Sequence, residues 1–565
     1  MRKTLIILSY LFLSLSINAK TPKLSKNAKG GVCTIITYDE KGQKNGEGQG
    51  FFIDADGTGV TEYKLLRDAS RAETIDALGE VREIKHVTGA DELYEVVKFT
   101  VTPDKKFKYQ TLSSTETLRD DEVYIIPYFT DKKSKTVNTR VLDVMKISED
   151  RFYFYYTLKS VSDSNLVSLP VFDKNGTVIG IVQRGNAVSD TCLYVLDARY
   201  AADIEIGALS LNETVYKNIK MRIALPAKHE QALSYIYFKQ GSPEDEYVGL
   251  LNDFVAQFPN SADGYFNRGS YSLIYRDSVT HAQAISDIEK AIEIAEEKDL
   301  FHYDFANLIY GSILENIKIG FDSWTLGKAL EEVNKALSIK EMPIYLGLKG
   351  KILYAQKRYQ ESYDTYCLLN KTNLASAETY MFTFAAKRGM GGDLSECIAL
   401  LDTAINFNGK PFSQKIAPYI LTRASVKEEA GRYREAVSDY IEYENLIGSY
   451  NMTSEFYFYR EQLEIKGKMY EPALKDIEKA RSLAPEDSSL TLEHASLYLR
   501  LNMHEEALPL LIQLAATYPD NSDCRRLLGI CYMRKEDKEN ACIELNAAKK
   551  LGDPMAEELI QKNCK

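Results

Sequence analysis

Three alanines set the frame for the second half of this 565-residue chain: Ala473, Ala507 and Ala541, spaced 34 and 34 apart. They stand in "MYEPALKDIEKARSLAP", "MHEEALPLLIQLAATYP" and "DKENACIELNAAKKLGDP", and Pro485 and Pro519 each follow their alanine by twelve residues. A fixed period of this length means stacked supersecondary units, none of which can bury its apolar face alone. Two helices cross closely only where a small side chain faces a large one, so a small residue must recur. The proline then ends the second helix. Extended backward, the column reads Ala436, Cys397, Ser362, Ala329, Ala284 and Tyr247, with spacings from 33 to 45 that put insertions into several turns.

The last unit, "RRLLGICYMRKEDKENACIELNAAKK", carries Leu528, Gly529, Tyr532, Ala541 and Ala548. Gly431, Tyr433, Tyr359 and Ala480 fill matching places in earlier units. In this register the chain resembles the tetratricopeptide repeat (TPR) family. The resemblance implies an all-α superhelical solenoid of about eight to nine units over 229–553, with a connecting segment at 206–228 and a tail at 554–565. It also implies a protein or peptide partner, bound in a concave groove by first-helix side chains. Carried over position by position, those are Tyr354, Phe458, Gln462, Leu492, Ser496, Arg500, Arg526, Ile530 and Arg534. Aromatic, aliphatic and arginine groups together are the usual make-up of contact surfaces.

Before about residue 205 the period is different. "VCTIITY", "GQGFFID", "YEVVKFTV", "EVYIIPYF", "RFYFYYTL", "TVIGIVQ" and "CLYVLDA" are short alternating or β-branched runs, separated by turn clusters such as "ADGTG", "TPDKK" and "DKNGT". Many short strands with such turns predict an all-β barrel or sandwich.

Within 28–205, "GEGQGFFIDADGTGVTEYKLLRDAS" holds Gly48, Gly50, Phe51, Asp56, Gly57, Thr61 and Tyr63, and "SNLVSLPVFDKNGTVIGIVQRG" holds Pro170, Asn175, Gly176 and the "VIGIV" strand. These features resemble trypsin-like serine proteases of the HtrA type, which implies an all-β double barrel. The three chemical slots of that family hold other residues here. Lys64 stands where the resemblance puts the general-base histidine, Leu93 (just after Asp91 and Glu92) where it puts the orienting aspartate, and Val167 where it puts the nucleophile. Ser168 and Leu169 replace two glycines. The resemblance therefore implies the frame of a protease without its chemistry, a pseudoprotease domain.

Proton abstraction from a serine near neutral pH calls for a group such as histidine, whose ordinary pKa is about 6.5. The first half has one histidine, His86, read as an exposed strand residue. A rearranged serine endopeptidase using Ser168 with Lys64 is the alternative. It needs a lysine pKa far below the ordinary value of about 10.4, a one-residue shift of the nucleophile, and an oxyanion hole beside Leu169. No metal site is expected: His229, His281, His302, His494 and His504 are scattered without paired spacing. "FIDADGTG" fits a hairpin turn better than a calcium loop, and no phosphate-binding glycine loop is present, so no cofactor is expected.

The net charge is −11 with no basic run, so nucleic acid is not an expected partner. Residues 1–19 read as a signal peptide: Arg2 and Lys3, an apolar stretch from Leu5 to Leu15, and Ala19 before the cleavage point. The mature protein is then periplasmic or otherwise exported, with no later span across a membrane. Export permits disulfides among the eight cysteines, but the spacing does not fix their pairing.

Overall fold

A computed structural model of the chain describes residues 30–102, 106–126, 136–147, 152–159, 166–185, 192–210, 213–275, 281–315 and 324–564. The expected signal peptide, the end of "EVYIIPYF", and Ser164 with Asn165 lie outside these residues. The chain divides into two compact units, Met1–Gly269 and Ser270–Lys565.

The described residues of the first unit form twelve strands: β1 Val32–Tyr38, β2 Lys44–Phe52, β3 Thr58–Glu62, β4 Arg71–Asp76, β5 Val81–Asp91, β6 Val96–Val101, β7 Glu122–Ile125, β8 Val137–Lys146, β9 Phe154–Lys159, β10 Pro170–Phe172, β11 Val178–Val182 and β12 Cys192–Asp197. They close into two antiparallel barrels, β1-β2-β3-β6-β5-β4 and β7-β8-β9-β12-β11-β10, so the second barrel repeats the strand order of the first. Closure leaves neither barrel an open edge.

Four hairpin turns share one chemistry. Asp39, Asp54, Asp76 and Asp173 each open a turn with glycine three residues on, at Gly42, Gly57, Gly79 and Gly176. Each glycine has a positive φ, between 75° and 93°. Each aspartate Oδ1 accepts the backbone N–H groups two and four residues later, at 2.8–3.0 Å. The carboxylate substitutes for backbone partners, and glycine takes the left-handed position at no steric cost. "FIDADGTG" is one of these turns.

The segment expected to be a plain connection runs along the first barrel. Val87 N–H donates to Arg222 O at 2.9 Å, Ala224 N–H to Val87 O at 2.8 Å, and the Tyr63 hydroxyl to Val215 O at 2.8 Å.

From His229 on, the described helices run in pairs: His229–Phe238 and Glu244–Gln257, Ala262–Tyr275 and His281–Ile294, Lys298–Leu314 and Leu326–Ile339, Pro343–Ala355 and Tyr359–Leu369, Ala377–Gly389 and Leu394–Asn406, Ala417–Glu429 and Tyr433–Ile447, Ser454–Lys466 and Tyr470–Leu483, Ser488–Arg500 and His504–Thr517, Ser522–Arg534 and Lys538–Lys550. A final helix spans Ala556–Asn563. The protein is thus a double β-barrel followed by an all-α array. The whole small-residue column, Tyr247 to Ala541, is buried. The crossing geometry explains why: a Cβ at Gly350 would lie 2.7 Å from the ring of Tyr366, and the Ser362 hydroxyl donates to Gly350 O at 2.9 Å. Cys542 and Cys564 form a disulfide that ties the last pair to the final helix. Among the described residues no helix is long and apolar enough to cross a membrane.

Candidate functional site

The protease-like slots scatter in the folded chain. Lys64 is exposed on a short helix, Tyr63–Arg67. Leu93 is 83% exposed in the turn between β5 and β6, because the strand read from "YEVVKFTV" begins only at Val96. Val167 is half-buried in a tight turn in which Leu169 N–H donates to Leu166 O at 3.2 Å. Ser168 takes the left-handed position of that turn, φ 66°, the conformation that glycine adopts at least cost. Its side chain is buried, and its hydroxyl accepts the Glu62 N–H at 3.2 Å. No hydrogen bond joins Ser168 to Lys64 among the described contacts.

Other residues occupy the place where the barrels meet. Glu62, at the end of β3, is gripped by both arms of the Arg184 guanidinium, Nε to Oε2 at 3.0 Å and Nη2 to Oε1 at 2.8 Å. The Gln183 side-chain amide donates to Tyr94 O and its oxygen accepts the Tyr155 hydroxyl at 3.2 Å. Asp91, two residues before the aspartate slot, accepts the Tyr200 hydroxyl at 2.5 Å and the Tyr94 N–H at 2.9 Å. The Tyr94 ring packs on Tyr200 and Tyr155, with centroids 5.2 and 6.3 Å away. These polar groups are therefore spent on one another, and three tyrosine rings pack beside Asp91 and Gln183. Glu62, Arg184 and Gln183 carry no motif; pairing across 122 positions reveals the first two, and pairing across 89 and 28 positions reveals Gln183.

His86 is not the exposed strand residue expected from sequence. Its ring lies largely buried, with Nε2 3.4 Å from Asp253 Oδ2, and Arg222 reaches the same carboxylate at 2.5 Å. The connecting segment and the helix Glu244–Gln257 cover this strand, which the local pattern of β5 could not reveal. A cavity of about 510 Å³ nearby is lined by Lys220, Arg222 and Lys239, but each is already paired, with Glu40, Asp253 and Glu246.

In the array, the expected groove residues divide. Arg500 and Arg534 are exposed, and Tyr354 is exposed with its ring against Tyr359. Ser496 and Ile530 are half-buried. Phe458 and Leu492 lean on the cores of their own units, and Gln462 donates to Glu461 at 2.6 Å. Arg526 is held by Asp553 at 2.8 Å and Asp523 at 2.5 Å, so it fastens the final helix to the array.

A buried ionic column runs inside the walls, and sequence reading missed it. Arg423 grips Asp439 with Nε and Nη2 at 3.0 and 2.7 Å, and Lys427 adds a third bond at 3.0 Å. Thirty-seven residues on, Arg460 grips Asp476 in the same way at 2.6 and 2.8 Å. Glu464 stands there in place of the lysine. It is buried, one carboxyl oxygen has no hydrogen-bond partner among the described residues, and burial followed by the Asp476 charge pushes its pKa up to about 8. Glu461 is pushed up to about 8 as well, by burial and then Glu493. The signal was available: an acid three places after the column residue gives Asp287, Glu332, Asp439, Asp476 and Glu544.

Residues 492–556 match the family model of the tetratricopeptide repeat, which covers the last two helix pairs almost entirely. A search of curated proteins found no match for this chain.

Proposed function

We propose that this chain is an exported, non-catalytic scaffold whose helical array binds a protein or peptide partner in the cell envelope, with the double barrel as a pseudoprotease domain. One observation carries the barrel half of this reading. Ser168, beside the nucleophile slot, occupies a glycine conformation with its hydroxyl accepting the Glu62 N–H, while Lys64 faces solvent. A nucleophilic hydroxyl needs a base within hydrogen-bond reach and donors aimed at an oxyanion. For the array half, the repeat match and the exposed groove residues Tyr354, Arg500 and Arg534 are the support. The Cys542–Cys564 disulfide suits an oxidising compartment.

The test is a fluorophosphonate probe on the full-length purified protein, alongside affinity capture from the native envelope. No labelling, with a reproducible protein captured, is the expected result. Labelling at Ser168 overturns the non-catalytic reading, and a mature protein that keeps residues 1–19 overturns export.

A further inference from the structure

From Pro343 on, the repeat register gives one position in each of six successive units, fifteen residues before the column residue of the second helix. It reads Gly347, Phe382, Leu421, Phe458, Leu492 and Arg526. Five units place a large side chain there and one places none. A cavity of about 410 Å³ opens beside that glycine, within the range of about 300–1,000 Å³ typical of ligand pockets.

The walls come from three successive first helices and the second helix between them. Tyr303 and Tyr310 stand on Lys298–Leu314, Ile344 on Pro343–Ala355, and Phe382 on Ala377–Gly389. Tyr366 backs them, its ring stacked on Phe382 at 5.3 Å and 10°. The Tyr366 hydroxyl is buried and has no hydrogen-bond partner among the described residues. A Cβ added at Gly347 would meet only Leu369 Cδ2, at 3.7 Å, which is ordinary contact. The backbone therefore has room for a side chain that the sequence omits.

The rim carries one cation and one anion. Lys351 lies over the Phe382 ring at 5.3 Å, and Glu378, on the next first helix, also lines the cavity. Neither is in an ion pair among the described contacts. The pair leaves the socket electrically balanced, which favours an uncharged occupant over a lysine or a carboxylate.

We propose that the notch at Gly347 is a socket for a large uncharged side chain, aromatic or leucine-like, presented by an extended peptide segment of the partner. The partner supplies in trans the group that Phe382, Leu421, Phe458 and Leu492 supply in their own units. An aromatic anchor in an aromatic-walled pocket is the usual form of a binding hot spot. This inference rests on reading the array as a protein-binding surface, and it names the chemistry of what that surface takes.

The probe is a displayed library of random short peptides, selected on the full-length protein. Selected peptides are expected to share an aromatic residue or leucine, and to bind Gly347→Ala as they bind the natural protein. Gly347→Phe fills the socket from within and lowers their affinity by about tenfold or more. Ile344→Glu places a charge on an already exposed rim residue and serves if the phenylalanine variant melts early; the same loss is expected. Peptides that bind all variants equally overturn the socket while leaving a binding groove elsewhere in the array. Selection of no peptide also overturns the socket, and the envelope capture then judges the wider reading separately.

Discussion

Replacing Glu464 by glutamine should stabilise the array at neutral pH, and the gain should vanish in acid. The carboxyl is 2% exposed and faces Asp476, which Arg460 already holds with two bonds. Its pKa in the folded protein is about 8, against an ordinary 4.5. The folded state therefore binds a proton that the unfolded chain releases between pH 4.5 and 8, so stability falls as pH rises through that window. At pH 7 the displacement amounts to about 2.5 units, or about 3 kcal/mol at 1.36 kcal/mol per unit. Above pH 8 the cost levels off at about 5 kcal/mol. Glutamine keeps a donor for Asp476 and needs no proton. Guanidinium unfolding followed by far-ultraviolet circular dichroism, from about pH 4 to pH 9, should show E464Q above the natural protein at neutral pH and level with it at the acid end. A variant no more stable at pH 8, or a gain that does not change with pH, would refute the assignment of a buried neutral carboxyl.

Two further outcomes follow from the geometry. Ser168→Gly should keep the turn and cost only its hydroxyl bond, whereas Ser168→Val forces a β-branched residue to φ 66° and should cost about 1–3 kcal/mol in thermal unfolding of the barrels. Cys564→Ser opens a link between positions 22 apart and should lower the stability of the final helix by about 2–4 kcal/mol, read as faster amide exchange over Ala556–Asn563.

Much of the fold was legible because its determinants are local. The aspartate-to-glycine turns announce the hairpins, and the small-residue column announces the helix crossings, since each fixes a backbone position on its own. Strands β3, β4, β5, β8 and β10 were harder to read. They are short, or their exposed and buried faces do not alternate cleanly, as in the pattern of β8 from Val137 to Lys146. The site was less legible for a different reason. Glu62 with Arg184, and Asp91 with Tyr200, are pairings across more than a hundred positions, and a slot carried over by register, such as Leu93, assumes a strand start that the turn at 92–95 displaces. His86 was misread because the segment that covers β5 comes from beyond the barrels.

The frame and the chemistry of a double barrel have separate determinants, so one can persist without the other. Turn aspartates and glycines specify the barrels, and none of them lies in a triad slot. Whichever residues fill those slots, the surrounding polar atoms need partners, because unpaired buried groups are costly. Here they find one another: the Glu62 N–H meets Ser168, its carboxylate meets Arg184, and Asp91 meets Tyr200. In a repeat array the reasoning runs the other way. Each unit predicts its neighbours, so a departure stands out and its cost or use can be named. At Gly347 the departure leaves a volume that a partner side chain can fill. At Glu464 it leaves a carboxyl where Lys427 stands one unit earlier, and the fold must supply a proton. Two substitutions, one restoring the missing side chain and the other removing the need for the proton, test these readings independently, because the first should alter binding and the second the pH profile of stability.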